Sequence, residues 1–293
     1  METLTARVVR EGLAFGEDPR WHDGRLWYSD FYRRGVYSMD TEGEERLEHV
    51  VEGQPSGLGW LPDGDLLCVS MLDHHVLRFH DGESSLFCDI SAYCGFWAND
   101  MITSASGVSY VGNFGFDLDV MLRDEGAAAM LVNRPPTTNL VVISPDGDVL
   151  QVMPDMDFPN GTVITPDGTT LIVGETLSCR LTAFDIAPDG TLSNRRVWAQ
   201  MELVYTDGMC LDAEGQIWLA NAIAPNCLRV REGGEITAMV ETGQTSYACM
   251  LGGDDRRSLY IMTAPTSDRF EIADKRSGRI EVAAVPVPGA GLP

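Results

Sequence analysis

One five-residue unit recurs six times in this chain, and that recurrence restricts the fold more than any other feature. The unit is three mostly apolar residues, then a small residue, then a polar one. It reads Leu26-Trp27-Tyr28-Ser29-Asp30, Ser109-Tyr110-Val111-Gly112-Asn113, Leu171-Ile172-Val173-Gly174-Glu175, Ile217-Trp218-Leu219-Ala220-Asn221 and Leu259-Tyr260-Ile261-Met262-Thr263. A looser copy is Leu66-Leu67-Cys68-Val69-Ser70. Five copies follow a turn signal: His22-Asp23-Gly24, Pro62-Asp63-Gly64, Ala105-Ser106-Gly107, Pro166-Asp167-Gly168 and Ala213-Glu214-Gly215. Asp-Gly and Ser-Gly supply the positive φ that tight hairpins require. The sixth copy follows a weaker turn, Asp254-Asp255-Arg256-Arg257.

Apolar runs flank each copy, as in Leu58-Gly59-Trp60-Leu61 before and His75-Val76-Leu77-Arg78-Phe79 after. The order strand, turn, strand, loop, strand repeats about every forty residues with hardly any helical periodicity, which is the signature of propeller blades. A sandwich would not need six copies in one register. The expected fold is all-β, a six-bladed β-propeller with a central metal site, formed by residues 1–293 as a single domain. Strand-like segments at both ends, Ala6-Arg7-Val8-Val9 and Arg279 to Val285, predict that the N-terminal segment completes the last blade, since a propeller otherwise keeps an open edge. One interval is long: Asn113 to Glu175 spans 62 residues, against 43 from Ser70 to Asn113. The surplus, around residues 118–139, carries Met121, Leu122, Met130 and Leu131 and reads as a lid over one mouth of the channel.

A second register lies behind the first. About 14 residues before the polar end of successive repeats stand Glu17, Ser56, Asn99, Asn160 and Asp207, in the contexts Pro55-Ser56-Gly57, Ala98-Asn99-Asp100, Pro159-Asn160-Gly161 and Thr206-Asp207-Gly208. These positions begin the first strand of each blade, the strand that lines a propeller's axis. Any one Asn-Gly or Asp-Gly is more often a turn than a ligand; the shared register makes the set specific. Two carboxylates and two amides, with no histidine or cysteine among them, suit one hard, oxygen-seeking divalent cation. Ca²⁺ comes first, with Mg²⁺, Mn²⁺ and Zn²⁺ as alternatives.

Other chemistries are poorly served. The net charge of −23 disfavours nucleic acid and anionic membrane as partners. The partner this leaves is a small-molecule substrate. The seven cysteines form no Cys-x-x-Cys pair and sit mostly in apolar runs, so buried reduced thiols are expected. The single lysine, Lys275, leaves Schiff-base chemistry almost no candidate, and no Gly-x-Ser-x-Gly elbow supports a serine nucleophile. The first residues lack the basic-then-apolar order of a secretory signal, so a cytoplasmic location is expected.

The segments Gly16-Glu17-Asp18-Pro19-Arg20-Trp21, Asn99-Asp100, Phe158-Pro159-Asn160-Gly161 with Ile164-Thr165-Pro166-Asp167-Gly168, and Thr206-Asp207-Gly208 resemble the family of gluconolactonases, senescence marker protein (regucalcin) and luciferin-regenerating enzyme. The resemblance covers nearly the whole chain in family order. It implies that Glu17, Asn160 and Asp207 are metal ligands, that Asn99 is a ligand or a water-mediated substrate contact, and that Asp207 is the candidate general base.

The sequence departs from the family's sugar lactonases at Trp97, where they often carry an arginine. Side chains alternate along a strand, so residues two before each ring position should share its side of the channel. These are Phe15, Gln54, Trp97, Phe158 and Tyr205, and the four aromatics are candidate substrate-binding residues better suited to an apolar or aromatic substrate than to a polyol. The expected function is a metal-dependent lactonase or esterase. An isomerisation or condensation on the same cation site, or a non-catalytic calcium-binding propeller, are the competing readings.

Overall fold

The computed structural model describes residues 2–126 and 134–292. The repeat unit forms the second strand of every blade, as in Arg25–Asp30, Leu66–Ser70 and Ser109–Asn113. Hairpins join it to an inner strand: Gly16–His22, Pro55–Trp60, Ala98–Thr103, Pro159–Ile164, Thr206–Leu211 and Thr245–Gly252 in blades 1 to 6. Each inner strand packs beside the next around the ring, and that of blade 6 returns to that of blade 1. The expected six-bladed propeller is what forms.

Blades hold a fourth, outer strand that the repeat did not signal. Glu83–Asp89 and Leu192–Gln200 are largely exposed and lack an apolar alternation, because only one face of an outermost strand meets protein. Ring closure takes place as expected. Arg7–Leu13 pairs antiparallel with Gly278–Ala284 as the outer strand of blade 6, and Glu2–Thr5 adds a parallel fifth strand to blade 5.

The small residue of each repeat has a packing reason. A Cβ on Gly112 would lie 2.7 Å from the Pro159 carbonyl oxygen, and one on Gly174 would lie 3.0 Å from Thr206 Oγ1, each in the next blade. The repeat therefore stays thin where blades stack, and the apolar positions fill the layers between them. Leu26 and Tyr28 of blade 1 share one cluster with Leu251 and Ile261 of blade 6. All seven cysteines are free, and five are buried.

Among the described residues, two short α-helices follow second strands: α1 (Leu118–Asp124) after that of blade 3 and α2 (Arg269–Ile272) after that of blade 6. The region expected as a lid thus begins with α1; Met130 and Leu131 lie outside the described residues. Among the described residues, no helix is long and apolar enough to cross a membrane.

Candidate active site

In blades 1, 3, 4 and 5 the polar residue that ends the repeat bonds the backbone on the approach to the inner strand. Asp30 accepts hydrogen bonds from the Ala14 and Phe15 N–H groups, Asn113 from Gly95, Glu175 from Asp157 and Asn221 from Tyr205. The residue after each repeat then donates its N–H to the residue two before the ring position. Phe31 donates to Phe15, Phe114 to Trp97, Thr176 to Phe158 and Ala222 to Tyr205. In blades 1, 3, 4 and 5 these two hydrogen-bonded links fix where the inner strand starts, and so set those ring positions at one depth.

Each inner strand carries a register shift at that depth: Glu17/Arg20, Pro55/Leu58, Ala98/Met101, Pro159/Thr162, Thr206/Met209 and Ser246/Ala248. A bulge re-aims a side chain and interrupts the ladder. The glycines following the ring positions allow close approach around the axis. A Cβ on Gly57 would meet Met101 N at 2.3 Å, and one on Gly161 would meet the Asp207 carbonyl oxygen at 2.4 Å.

Glu17, Asn99, Asn160 and Asp207 all line one cavity of about 480 Å³. Its walls include Phe15, Trp97, Phe158 and Tyr205, so every sequence-predicted site residue is brought together. Gln54, fifth in the same series, is not among the lining residues; it takes a left-handed φ of 65° and its buried Oε1 has no partner. Phe158 also takes a left-handed φ, 58°, which is uncommon for a bulky side chain. Its ring packs 4.8 Å from Phe114, while Phe15 lies 4.8 Å from Tyr247. No histidine lines the cavity: His22 stacks on Trp60 and His49 packs on Phe79.

The floor is strongly acidic. Burial, then the charges of Asp207 and Asp100, push Glu17 well above the usual carboxylate range. Burial and the charge of Asp100 do the same to Asp207, against hydrogen bonds from the Gly208 N–H and the Asn160 amide. Burial raises Asp100 to about 6 despite Arg20, and Asp100 Oδ2 has no hydrogen-bond partner. Arg20 is paired with Asp18 at 2.6 Å. A buried carboxylate set with more negative charge than its neighbours neutralise fits a bound cation. Among the described residues, no three His, Cys, Asp or Glu side chains converge as a metal cluster. The ring's remaining donors are amide oxygens, which suits Ca²⁺ better than zinc.

Several site residues escaped the sequence reading. Tyr247 occupies the sixth ring position; it lies 16 residues before Thr263 and has no Asn-Gly or Asp-Gly context, so only the shared bulge reveals it. Thr176 lines the cavity beside Asn160. At the mouth, Arg269 of α2 pairs with Asp117, which caps the start of α1, and with Asp119 within it, and lies 4.9 Å from the centre of the Trp97 ring.

The fold and its axial side chains define a class: six-bladed propellers with a ring of oxygen-bearing side chains lining an apolar-walled axial cavity. Within that class the assignment is specific. The SMP-30/Gluconolactonase/LRE-like region model matches residues 15–265, and the chain belongs to that family. Regucalcin of Xenopus laevis is 30% identical, over 88% of this chain and 85% of the frog protein. Among solved structures, a calcium-binding regucalcin from Agrobacterium tumefaciens matches with a TM-score of 0.79 and 20% identity, covering 100% of this chain and 97% of that one. A gluconolactonase from Xanthomonas campestris matches with a TM-score of 0.74 and 22% identity, covering 96% and 90%.

Proposed function

We propose that this protein is a metal-dependent hydrolase that opens a lactone or related ester bearing an apolar or aromatic group. One observation carries the reading: Glu17, Asn99, Asn160 and Asp207 meet in a cavity whose walls are Phe15, Trp97, Phe158 and Tyr205. The family's gluconolactonase member supports lactone opening as the reaction type.

Glu17, Asn160 and Asp207 would hold the cation, with Asn99 beside them as a further ligand or a contact to substrate through water. Bound there, a divalent cation supplies Lewis acidity to the substrate carbonyl and to the negative charge that develops on its oxygen. Asp207 would take a proton from the attacking water. Water adds to the acyl carbon, the acyl C–O bond breaks, and the ring oxygen leaves as a hydroxyl carrying the proton. The aromatic walls would exclude bulk water and align an apolar substrate, and α1, whose Leu118 and Leu122 line the cavity, would cover its mouth.

Metal analysis of the purified protein, followed by turnover on a panel of sugar and apolar lactones, tests the reading. About one divalent ion per chain is expected, removed by chelator together with activity and restored with it. Asp207→Ala and Glu17→Gln should lose or loosen the ion. A channel that stays empty with calcium supplied, in a protein inert towards every lactone, would falsify the proposal.

A further inference from the structure

We infer that Thr176 is a positioning residue for the cation ring: its hydroxyl, together with the Asp207 carboxylate that accepts from the same amide, sets which end of the Asn160 amide the ring receives. The inference rests on the metal-dependent reading above and deepens it. Thr176 is buried, opens a single 3₁₀ turn just after the blade 4 repeat, and lines the cavity. Its Oγ1 lies 2.7 Å from the carbonyl oxygen of Thr206 and 3.2 Å from Asn160 Nδ2.

The two contacts are not interchangeable. A carbonyl oxygen can only accept, so the one hydroxyl hydrogen of Thr176 is committed to Thr206. Towards Asn160 the hydroxyl can then only accept, and only the NH₂ end of an amide can donate. Asn160 Nδ2 is thereby held at Thr176, and Oδ1 is the end left towards Asn99, whose Nδ2 reaches it at 3.2 Å. The same polarity runs on: Asn99 Oδ1 accepts from Ser56 Oγ at 3.3 Å. One backbone carbonyl in blade 5 sets the direction of a line of side chains from blades 4, 3 and 2.

That direction matters for a cation. Oxygen binds a hard divalent ion, whereas an NH₂ group offers hydrogens and repels it. The two ends of an asparagine amide have nearly the same shape, so packing alone does not choose between them. Thr206 also directly precedes Asp207. The hydroxyl therefore ties the amide ligand of one blade to the strand that carries the carboxylate of the next.

The test uses the full chain as wild type, Thr176→Val, Thr176→Ser and Asp207→Ala, titrated with Ca²⁺ by calorimetry and with Tb³⁺ by luminescence. Thermal unfolding in chelator reports any purely structural effect. Thr176→Val should weaken Ca²⁺ binding about tenfold or more, the usual cost of removing a group that orients a ligand. Thr176→Ser, which keeps the hydroxyl, should bind nearly as wild type, and Thr176→Ala can stand in for a valine variant that fails to fold. In Asn160→Asp, both ends of the side chain are oxygen, so adding Thr176→Val should cost little further affinity. Wild-type affinity in Thr176→Val, equal losses in serine and valine variants, or the same loss on the Asn160→Asp background would each overturn the inference alone. Absence of cation binding by wild type would overturn the ring reading and this inference with it.

Discussion

Arg269 and Asp117 meet across the axis of the ring. The guanidinium of Arg269 donates two hydrogen bonds to the two Asp117 carboxylate oxygens, at 2.7 and 2.8 Å, and a third to Asp119 at 3.1 Å. Arg269 belongs to blade 6 and Asp117 to blade 3, which stand opposite in a six-membered ring, so the pairs close a strap above the cavity.

Opening that strap is the first expected outcome to check. A paired, partly buried guanidinium contributes about 1 kcal/mol, so Arg269→Gln should lower Tm by about 2–4 °C in scanning calorimetry. The larger effect should fall on substrate: KM for apolar lactones rises while kcat changes less, because the strap covers the mouth without touching the ring. An unchanged KM would remove the strap from substrate retention.

The second concerns closure. Arg7 pairs with Val282, Leu13 with Gly278 and Glu2 with Ala238, so the N-terminal residues fill the edges of two blades. Deleting residues 2–11 strips both pairings and bares an open edge. A loss of roughly 3 kcal/mol or more would lower Tm by about 6 °C or more. A melting temperature within a degree of wild type would mean that the pairings do not hold the ring shut.

The third concerns the mouth. Sugar hydroxyls against Phe15, Trp97, Phe158 and Tyr205 would lose water without gaining partners, at about 1–3 kcal/mol for each group left unpaired. Apolar surface there gains about 25 cal/mol per Å² buried. Hydrophobic lactones should therefore show higher kcat/KM than gluconolactone-type sugars, and Trp97→Arg should narrow or reverse the preference with the metal retained. Since Trp97 stacks under Arg269, that variant also sets two guanidinium groups together. Trp97→Gln separates the loss of apolar wall from that repulsion. Better turnover of sugars than of every apolar lactone, unaffected by either substitution, would sink the argument.

The fourth is a pH dependence. Glu175 is fully buried, which pushes its pKa up, but hydrogen bonds from Thr182 and the Asp157 N–H, with the charges of Arg180 and Arg195, leave it below the ordinary value. A carboxylate whose folded pKa is depressed stabilises the fold above its unfolded pKa of about 4.3 and loses that contribution as pH falls through the folded pKa. Denaturant midpoints of wild type and Glu175→Gln should differ by a constant amount above about pH 5 and converge in stronger acid. A gap that widens on acidification would contradict the assignment.

Much of the site could be read in the sequence because a propeller repeats one geometry. Asn99, Asn160 and Asp207 each precede their repeat's polar end by nearly the same number of residues, and a fixed offset in equivalent hairpins means equivalent places on the axis. Trp97 and Tyr205 followed from the same offset less two. Gln54 obeyed the rule in sequence and missed the cavity, although Phe158 shares its left-handed backbone and lines it. Tyr247 broke the rule by two residues and still reached the ring.

The sequence by itself determined the number of blades, the order in which they close and which oxygen-bearing side chains face the axis, because those depend on local hairpins of constant length. Only the tertiary structure decided what those side chains meet. Arg269 and Asp117 are separated by 152 positions and become neighbours through the ring's diameter. The orientation of Asn160 depends on a hydroxyl answering the backbone carbonyl of Thr206 in another blade, and a carbonyl has no sequence signature. The raised pKa values of Glu17 and Asp207 likewise arise from burial, from the charge of Asp100 beside both and from that of Asp207 beside Glu17, a crowding that exists only once the blades have closed.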